Sequence, residues 1–139
     1  MRILAFALLV IGLPLLAACD GGERLTLSQY NRWCARLDID DFGGSRAATW
    51  GDVTDALEGM LDEMRSIRAP AELDDYHKGT IEMVDEMAKG PRTYPRHERL
   101  DQADREDMLY TIVANQYILE RTYPVPRSVK AQAPACFPE

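Results

Sequence analysis

The chain has 139 residues, of which 46% are hydrophobic and 28% are charged, and its formal net charge is −7. These proportions are typical of a globular protein, and they exclude a disordered tail, a collagen-like repeat and a multi-span membrane protein. The length allows one domain and is too short for two. The acidic charge also makes nucleic acid an unsuitable partner, because its phosphates would repel the domain.

The chain opens with an apolar segment. A single basic residue, Arg2, precedes an uninterrupted apolar run of fourteen residues from Ile3 to Leu16. A helix of that length reaches only about 21 Å, which is less than the roughly 30 Å hydrocarbon core of a bilayer. A positive end, a short apolar run and small residues at its close are typical of a secretory signal peptide. We therefore expect residues 1–18 to be removed.

The tetrapeptide Leu16-Ala17-Ala18-Cys19 closes this segment and resembles the bacterial lipobox. The resemblance implies that Cys19 becomes the new N-terminus and carries a diacylglycerol thioether, with residues 19–24 as a lipidated tether. The mature chain then holds 15 basic and 23 acidic residues, a net charge of −8. Several acyl chains make such an anchor nearly permanent. We expect attachment to the extracytoplasmic face of the cell membrane, on the periplasmic side if the source has an outer membrane.

Two cysteines remain once Cys19 is acylated, namely Cys34 and Cys136. An even pair outside the cytoplasm predicts a disulfide bond. The alternative, a reactive or metal-bound thiol pair, has no CxxC spacing and no nearby histidine to support it. The disulfide would connect the end of the chain to its first helix.

Two helices are predicted in the first half of the domain. Thr26 and Gln29 form a T-x-x-Q capping box, so the first helix is expected to begin at Thr26. Thr49 begins the second helix, after a predicted loop over residues 38–48. The apolar residues of the second helix recur at steps of three and four, which no strand buries on one face; they are Trp50, Val53, Leu57, Met60, Leu61, Met64 and Ile67.

Two further helices complete the predicted domain, residues 25–139. The third spans about Ala71 to Lys89, and the fourth runs from near Asp101 or Asp104 to about Thr122. Because the fourth is apolar nearly all round, we expect it to be central in the domain. Its main inward stripe is predicted to be Leu109, Ile112, Val113, Gln116 and Leu119.

The tail from Pro124 contains four prolines and is predicted to lie extended across the helices until Cys136 fixes it. The sequence therefore predicts an all-α fold. Its architecture is a four-helix bundle with a short first helix and an extended, disulfide-pinned tail.

His77 is the most prominent candidate for ligand binding. Helical spacing places it on the inward face of the third helix, where an imidazole needs hydrogen-bond partners for both nitrogens. One interpretation is a core histidine whose partners are all internal. The other is a ligand pocket that His77 forms with Tyr76, Trp50, Thr80 and Gln116.

No cofactor, metal ion or catalytic residue is expected. The i, i+4 pairs Met60/Met64 and Met83/Met87 suit Cu(I) by their thioethers, but methionine at this spacing also fills cores. The loop that begins at Asp38 resembles an EF-hand loop but lacks oxygen ligands at key positions. Arg92, Arg96 and Arg99 make one loop locally basic, which indicates either a solvated loop or a contact with an acidic partner or a phosphate.

Two functions follow from these observations. The first is a non-enzymatic interaction or accessory module held at the membrane, with an envelope protein as its partner. The second is a small-ligand or metal-binding helical bundle with its pocket around His77. An exposed apolar patch on the first or fourth helix would favour the first function.

Overall fold

The computed structural model describes residues 22–37 and 47–137. The predicted signal peptide, the lipidation predicted at Cys19 and most of the predicted loop over residues 38–48 lie outside the described residues. Within the described ranges the structure is mostly helical and has no strand, only one isolated bridge between Thr49 and Arg99, which confirms the all-α class. The helices are α1 (Leu27–Cys34), α2 (Trp50–Ser66), α3 (Asp74–Lys89), α4 (Gln102–Thr122) and α5 (Arg127–Lys130). Short 3-10 turns span Ala71–Leu73, Pro91–Thr93 and Pro134–Cys136.

Local sequence determines where three of these helices begin. In α1, α2 and α4 the N-cap side chain accepts a hydrogen bond from the backbone N–H three residues later, and that residue's side chain accepts one in return. Such reciprocal bonds satisfy N–H groups that a helix start otherwise leaves unpaired. The capping box predicted at Thr26 and the helix start predicted at Thr49 are confirmed; further boxes pair Thr49 with Asp52 and Asp101 with Asp104.

Helices α2 and α3 pack antiparallel and form the centre of the core. At one end, a ring nitrogen of His77 in α3 is hydrogen-bonded to the Met64 carbonyl oxygen in α2, at 3.0 Å. At the other end, the Gly51 N–H donates to the Arg96 carbonyl oxygen, beyond the end of α3, at 2.9 Å. The largest fully buried side chains of this core are Leu61, Met64, Leu73 and Val53.

The last segment of the chain fixes α1 to the rest of the domain. A disulfide joins Cys34 to Cys136 with a Cα–Cα distance of 5.2 Å, which confirms the predicted bond. The Ala135 N–H also donates to Asn31 Oδ1 at 2.8 Å. The tail is not extended as predicted, because α5 and a 3-10 turn lie within it. Pro126, with φ at −57°, is suited to the residue before a helix, where a missing N–H removes no helical bond.

The central position predicted for α4 is wrong. Its main packing partner is α3, and Leu119 is its one buried residue. Leu109 and Val113 were expected to face inward but are 49% and 66% exposed. The physical reason is that α4 has too few packing partners, because α1 has only eight residues and is too short to cover it.

Candidate functional site

His77 lies in the core with both ring nitrogens hydrogen-bonded. The Met64 carbonyl oxygen can only accept, so the Nε2–H of neutral His77 donates to it at 3.0 Å. The other ring nitrogen, Nδ1, then accepts from the Tyr30 hydroxyl at 2.8 Å. Edge-on aromatic rings of Tyr30 and Trp33 cover the imidazole at centroid distances of 5.6 and 5.7 Å. His77 therefore connects α1, α2 and α3 inside the core.

Burial controls the protonation of this cluster. It lowers the pKa of the His77 imidazole below its ordinary value, although the Met64 hydrogen bond and the charge of Asp74 act in the opposite direction. Burial also raises the pKa of the Tyr30 hydroxyl, and it raises the pKa of Tyr76 to about 12. The imidazole is consequently neutral and both phenols are protonated near pH 7.

The residues predicted to form one ligand pocket are divided between different places. Tyr76, Thr80 and Gln116 line a cavity of about 220 Å³, which we call the methionine cavity. Trp50 lines a separate cavity of about 230 Å³, where its ring stacks on Tyr94 at a centroid distance of 4.2 Å. Within the described structure, His77 is part of the wall of neither cavity.

The sequence interpretation missed Tyr30 as the side-chain partner of His77. One signal pointed to it, because Tyr30 lies one helical turn before Cys34 on the inward face of α1. The pairing of those two particular inward faces depends on tertiary packing, which the spacing alone does not contain.

Thioether side chains dominate the methionine cavity. Its wall receives two methionines from α2 and two from α3, namely Met60, Met64, Met83 and Met87. The Thr80 hydroxyl donates to the Tyr76 carbonyl oxygen at 2.8 Å and is thereby occupied. The Gln116 amide, by contrast, makes no side-chain hydrogen bond with any other described residue. The cavity is apolar with one amide on its wall.

The main exposed apolar surface of the described chain lies on α4. We call it the α4 face, and it consists of Leu109, Tyr110, Val113, Tyr117 and Ile118, each between 49% and 77% exposed. The guanidinium carbon of Arg121 lies 5.6 Å from the centroid of the Tyr117 ring. Large exposed apolar surfaces mark interaction sites.

The basic loop after α3 is already paired with acidic side chains of α2. Arg96 contacts both carboxylate oxygens of Asp55 at 2.7 Å. Arg92 donates to Glu58 Oε1 at 3.1 Å. These ion pairs hold the loop against α2 and reduce its positive potential, so Arg92 and Arg96 favour the solvated-loop interpretation over an anion site.

Three further findings limit the functional interpretation. The described residues contain no cluster of three or more His, Cys, Asp or Glu side chains placed to hold a metal ion. No helix in the described ranges has the length and apolar character needed to cross a membrane. Comparison with protein-family models, curated proteins and solved structures gives no match.

Proposed function

We propose that the protein is a membrane-anchored extracytoplasmic lipoprotein whose helical domain is a non-enzymatic interaction module. Residues 1–18 are the signal peptide, Cys19 carries the lipid, residues 19–24 are the tether, and residues 25–139 are the domain, a four-helix bundle. The disulfide supports the extracytoplasmic location, because structural disulfides form mainly in oxidising compartments. Where the source has an outer membrane, the location is periplasmic.

The α4 face is the observation that carries the interaction role. Its five side chains expose about 600 Å² of surface, the upper end of what monomeric proteins show in one patch. Such a surface is costly to leave in water, so a partner that covers it gains apolar burial. Lipid anchoring adds to this effect, since confinement at a membrane raises the effective concentration of each partner.

Photo-crosslinking of the full chain in native membranes tests the interaction role. A photoreactive amino acid in place of Tyr110 is expected to give a discrete protein adduct. The matched control places the same group at Glu82, which is exposed on α3, outside the α4 face. If position 110 gives no more adduct than position 82, the interaction role is wrong.

Replacement of the lipidated cysteine tests the anchor. Cys19→Ser is expected to leave the chain in the soluble fraction, whereas the wild-type chain stays with the membranes. Intact-mass analysis of the wild-type chain should show a product that begins at Cys19 and carries added lipid. An unmodified or full-length wild-type product would refute the proposed anchor.

The methionine cavity supports a second candidate function, the binding of a small apolar ligand. Flexible thioether side chains adapt to different ligand shapes, which is why methionine-rich sites bind varied apolar groups. A dry apolar cavity of about 150 Å³ admits a benzene ring, so one of about 220 Å³ suits a bicyclic molecule. The amide of Gln116 offers one polar contact to orient it. The same four thioethers are ligands that Cu(I) prefers.

Methyl NMR of the methionines tests this second function, with indole and anaerobic Cu(I) as the probes. Binding is expected to shift the methyl signals of Met60, Met64, Met83 and Met87 together. Gln116→Phe should fill the cavity and abolish the indole response. Asn115→Phe, the neighbouring position that lines a different cleft, should retain it. No shift with millimolar indole and none with Cu(I) would exclude this function.

A further inference from the structure

The exposed residues of α4 are arranged symmetrically about the middle of the helix. Counted outward from the midpoint between Val113 and Ala114, Tyr110 has Tyr117 as its counterpart and Leu109 has Ile118. Three residues further out, an acid and a base correspond, since Glu106 is as far from the midpoint as Arg121. The same order of residue types is therefore met from either end of the helix: a charged residue, then two large apolar residues, then Val113 and Ala114 at the midpoint.

These residues also lie on one side of the helix. At about 100° per residue, Glu106, Tyr110, Val113, Tyr117 and Arg121 fall within about 80° of the helix circumference. Leu109 and Ile118 border this strip on its two sides. The strip spans about 22 Å along the helix, which is enough length for one helix–helix contact.

We propose that the α4 face binds a second copy of this chain, with the two α4 helices antiparallel about a two-fold axis. A symmetric dimer requires a self-complementary surface, and a palindromic helix face supplies one. Val113 then lies beside Val113 of the second copy, and Tyr110 lies opposite Tyr117. This inference rests on the proposed interaction role and names the partner that the module binds.

Charge distinguishes the antiparallel pairing from its alternatives. Antiparallel α4 helices bring Glu106 of each copy near Arg121 of the other, so the contact has an ion pair at both ends. Parallel helices would instead place Glu106 against Glu106. A different protein as partner would impose no symmetry on this sequence. A lipid surface is disfavoured because Glu106 and Asp107 border the face and both are exposed.

Existing contacts prepare the two charged ends for this pairing. The Gln102 amide donates to Glu106 Oε1 at 2.8 Å, and an Arg121 guanidinium N–H donates to the Tyr117 hydroxyl at 3.3 Å. Both charged groups are thereby held along α4. Less side-chain freedom is then lost when the second copy binds.

The size of the surface sets the expected strength of the dimer. Two α4 faces together expose about 1,200 Å², so a contact between them buries at most the lower limit of specific protein–protein interfaces. The dimer is therefore expected to be weak in dilute solution and to become well populated when both copies are confined to one membrane.

Thiol crosslinking combined with charge reversal tests the dimer in membranes that contain the full chain. In the Val113→Cys variant, a short bismaleimide is expected to yield a species of twice the chain mass. Glu106→Arg and Arg121→Glu, each added to this variant, should lower the yield about five- to tenfold, because symmetry makes each reversal act twice. The double reversal should restore at least half of the original yield.

The restored yield identifies the partner, because only a second copy carries both reversed charges. Two variants serve as controls, namely the chain without an added cysteine and the chain with Glu82→Cys on α3; neither should give the double-mass species. No crosslink at Val113→Cys, or a double reversal as weak as the single ones, would overturn the dimer.

The outcomes also separate this inference from the proposed function. If α4 crosslinks only to a protein of another mass, the interaction module stands and the dimer is wrong. If Cys19 proves unlipidated while the double-mass species forms in concentrated solution, the anchor is wrong and the dimer stands. If the photoreactive group at position 110 labels only lipid, both the dimer and the protein-interaction role are wrong.

Discussion

His77 shows how a single residue serves as a structural connection. Its two nitrogens bind Tyr30 of α1 and the Met64 carbonyl oxygen of α2, while its own backbone belongs to α3. A buried polar group left without a partner costs about 1 to 3 kcal/mol, so the loss of either bond penalises the separation of these helices. The same residue type in a ligand site would need a nitrogen free for the ligand, and here both are occupied.

The first prediction concerns the pH dependence of stability. Because burial lowers the pKa of folded His77 below the ordinary 6.5, the unfolded chain binds the proton more tightly. The unfolding free energy is therefore expected to fall as the pH decreases below about 6.5, by at most about 1.4 kcal/mol per pH unit from this residue. Urea unfolding between pH 7.5 and 5 measures it, and His77→Gln should flatten the slope.

Two features make this measurement specific. The Asp74 carboxyl has its pKa lowered to about 2 by hydrogen bonds from Lys78 and Arg24, so its contribution is lost only as the pH falls below about 4. His97→Gln removes the other histidine, which is exposed in a loop, and serves as the control that keeps the wild-type slope. An unchanged slope in His77→Gln would contradict the role of burial.

Helix α3 meets α4 at a glycine that leaves no room for a side chain. A Cβ at Gly79 would lie 2.3 Å from Tyr123 Cε2 and 3.0 Å from Leu119 Cδ1. Real Cβ atoms do not approach other atoms that closely, so the Tyr123 ring would have to move. This close approach sets the distance between α3 and the C-terminal end of α4.

The second prediction is that Gly79→Ala destabilises the protein. Overpacking costs about 1 to 3 kcal/mol, which exceeds the gain of about 1 kcal/mol in helix propensity. Gly59→Ala is the matched control on α2, because a Cβ there has no neighbour within 4 Å and should stabilise the helix. Thermal unfolding of both variants measures the difference. Equal stabilities in the two variants would show that Tyr123 moves without cost.

Helix starts were predictable from the sequence because their determinants lie within three residues of one another. Thr26 with Gln29, and Thr49 with Asp52, each form a capping box without help from the rest of the fold. The disulfide was predictable for a different reason, since a single pairing remains once Cys19 is assigned to lipid.

The position of α4 was not predictable in the same way. Apolar residues on every side of a helix indicate that it has surfaces to bury, but they do not indicate which element covers each surface. Helix α3 is the main packing partner of α4, so Leu119 is buried while Val113 faces water. Similarly, the spacing placed His77 inward but did not show that the Tyr30 hydroxyl is hydrogen-bonded to its Nδ1, which leaves no nitrogen for a ligand. Long-range pairing decided both outcomes.

At the scale of the whole molecule, one covalent bond closes the structure. Cys34 and Cys136 are 102 positions apart, and nearly the whole domain lies in the loop between them. Noncovalent contacts also hold α1, because Tyr30 and Trp33 are buried in the core and Trp33 Nε1–H donates to Glu63 Oε1 at 2.9 Å, but at its C-terminal end the disulfide is the covalent tie to the tail. Helices α2 and α3 contain neither of the two cysteines, so the disulfide does not hold these helices together directly.

The third prediction is that removal of the disulfide costs more stability than any single contact and loosens α1 first. For a loop of this length, Cys34→Ala/Cys136→Ala should lower the unfolding free energy by about 4 to 5 kcal/mol, because the unfolded chain gains conformational freedom. Urea unfolding measures the loss, and hydrogen exchange should show faster exchange in α1 than in α2. A reductant should bring the wild-type chain to the same stability and leave the variant unchanged. A loss below about 1 kcal/mol would mean that the noncovalent contacts of α1 are sufficient to hold it, and it would contradict the prediction.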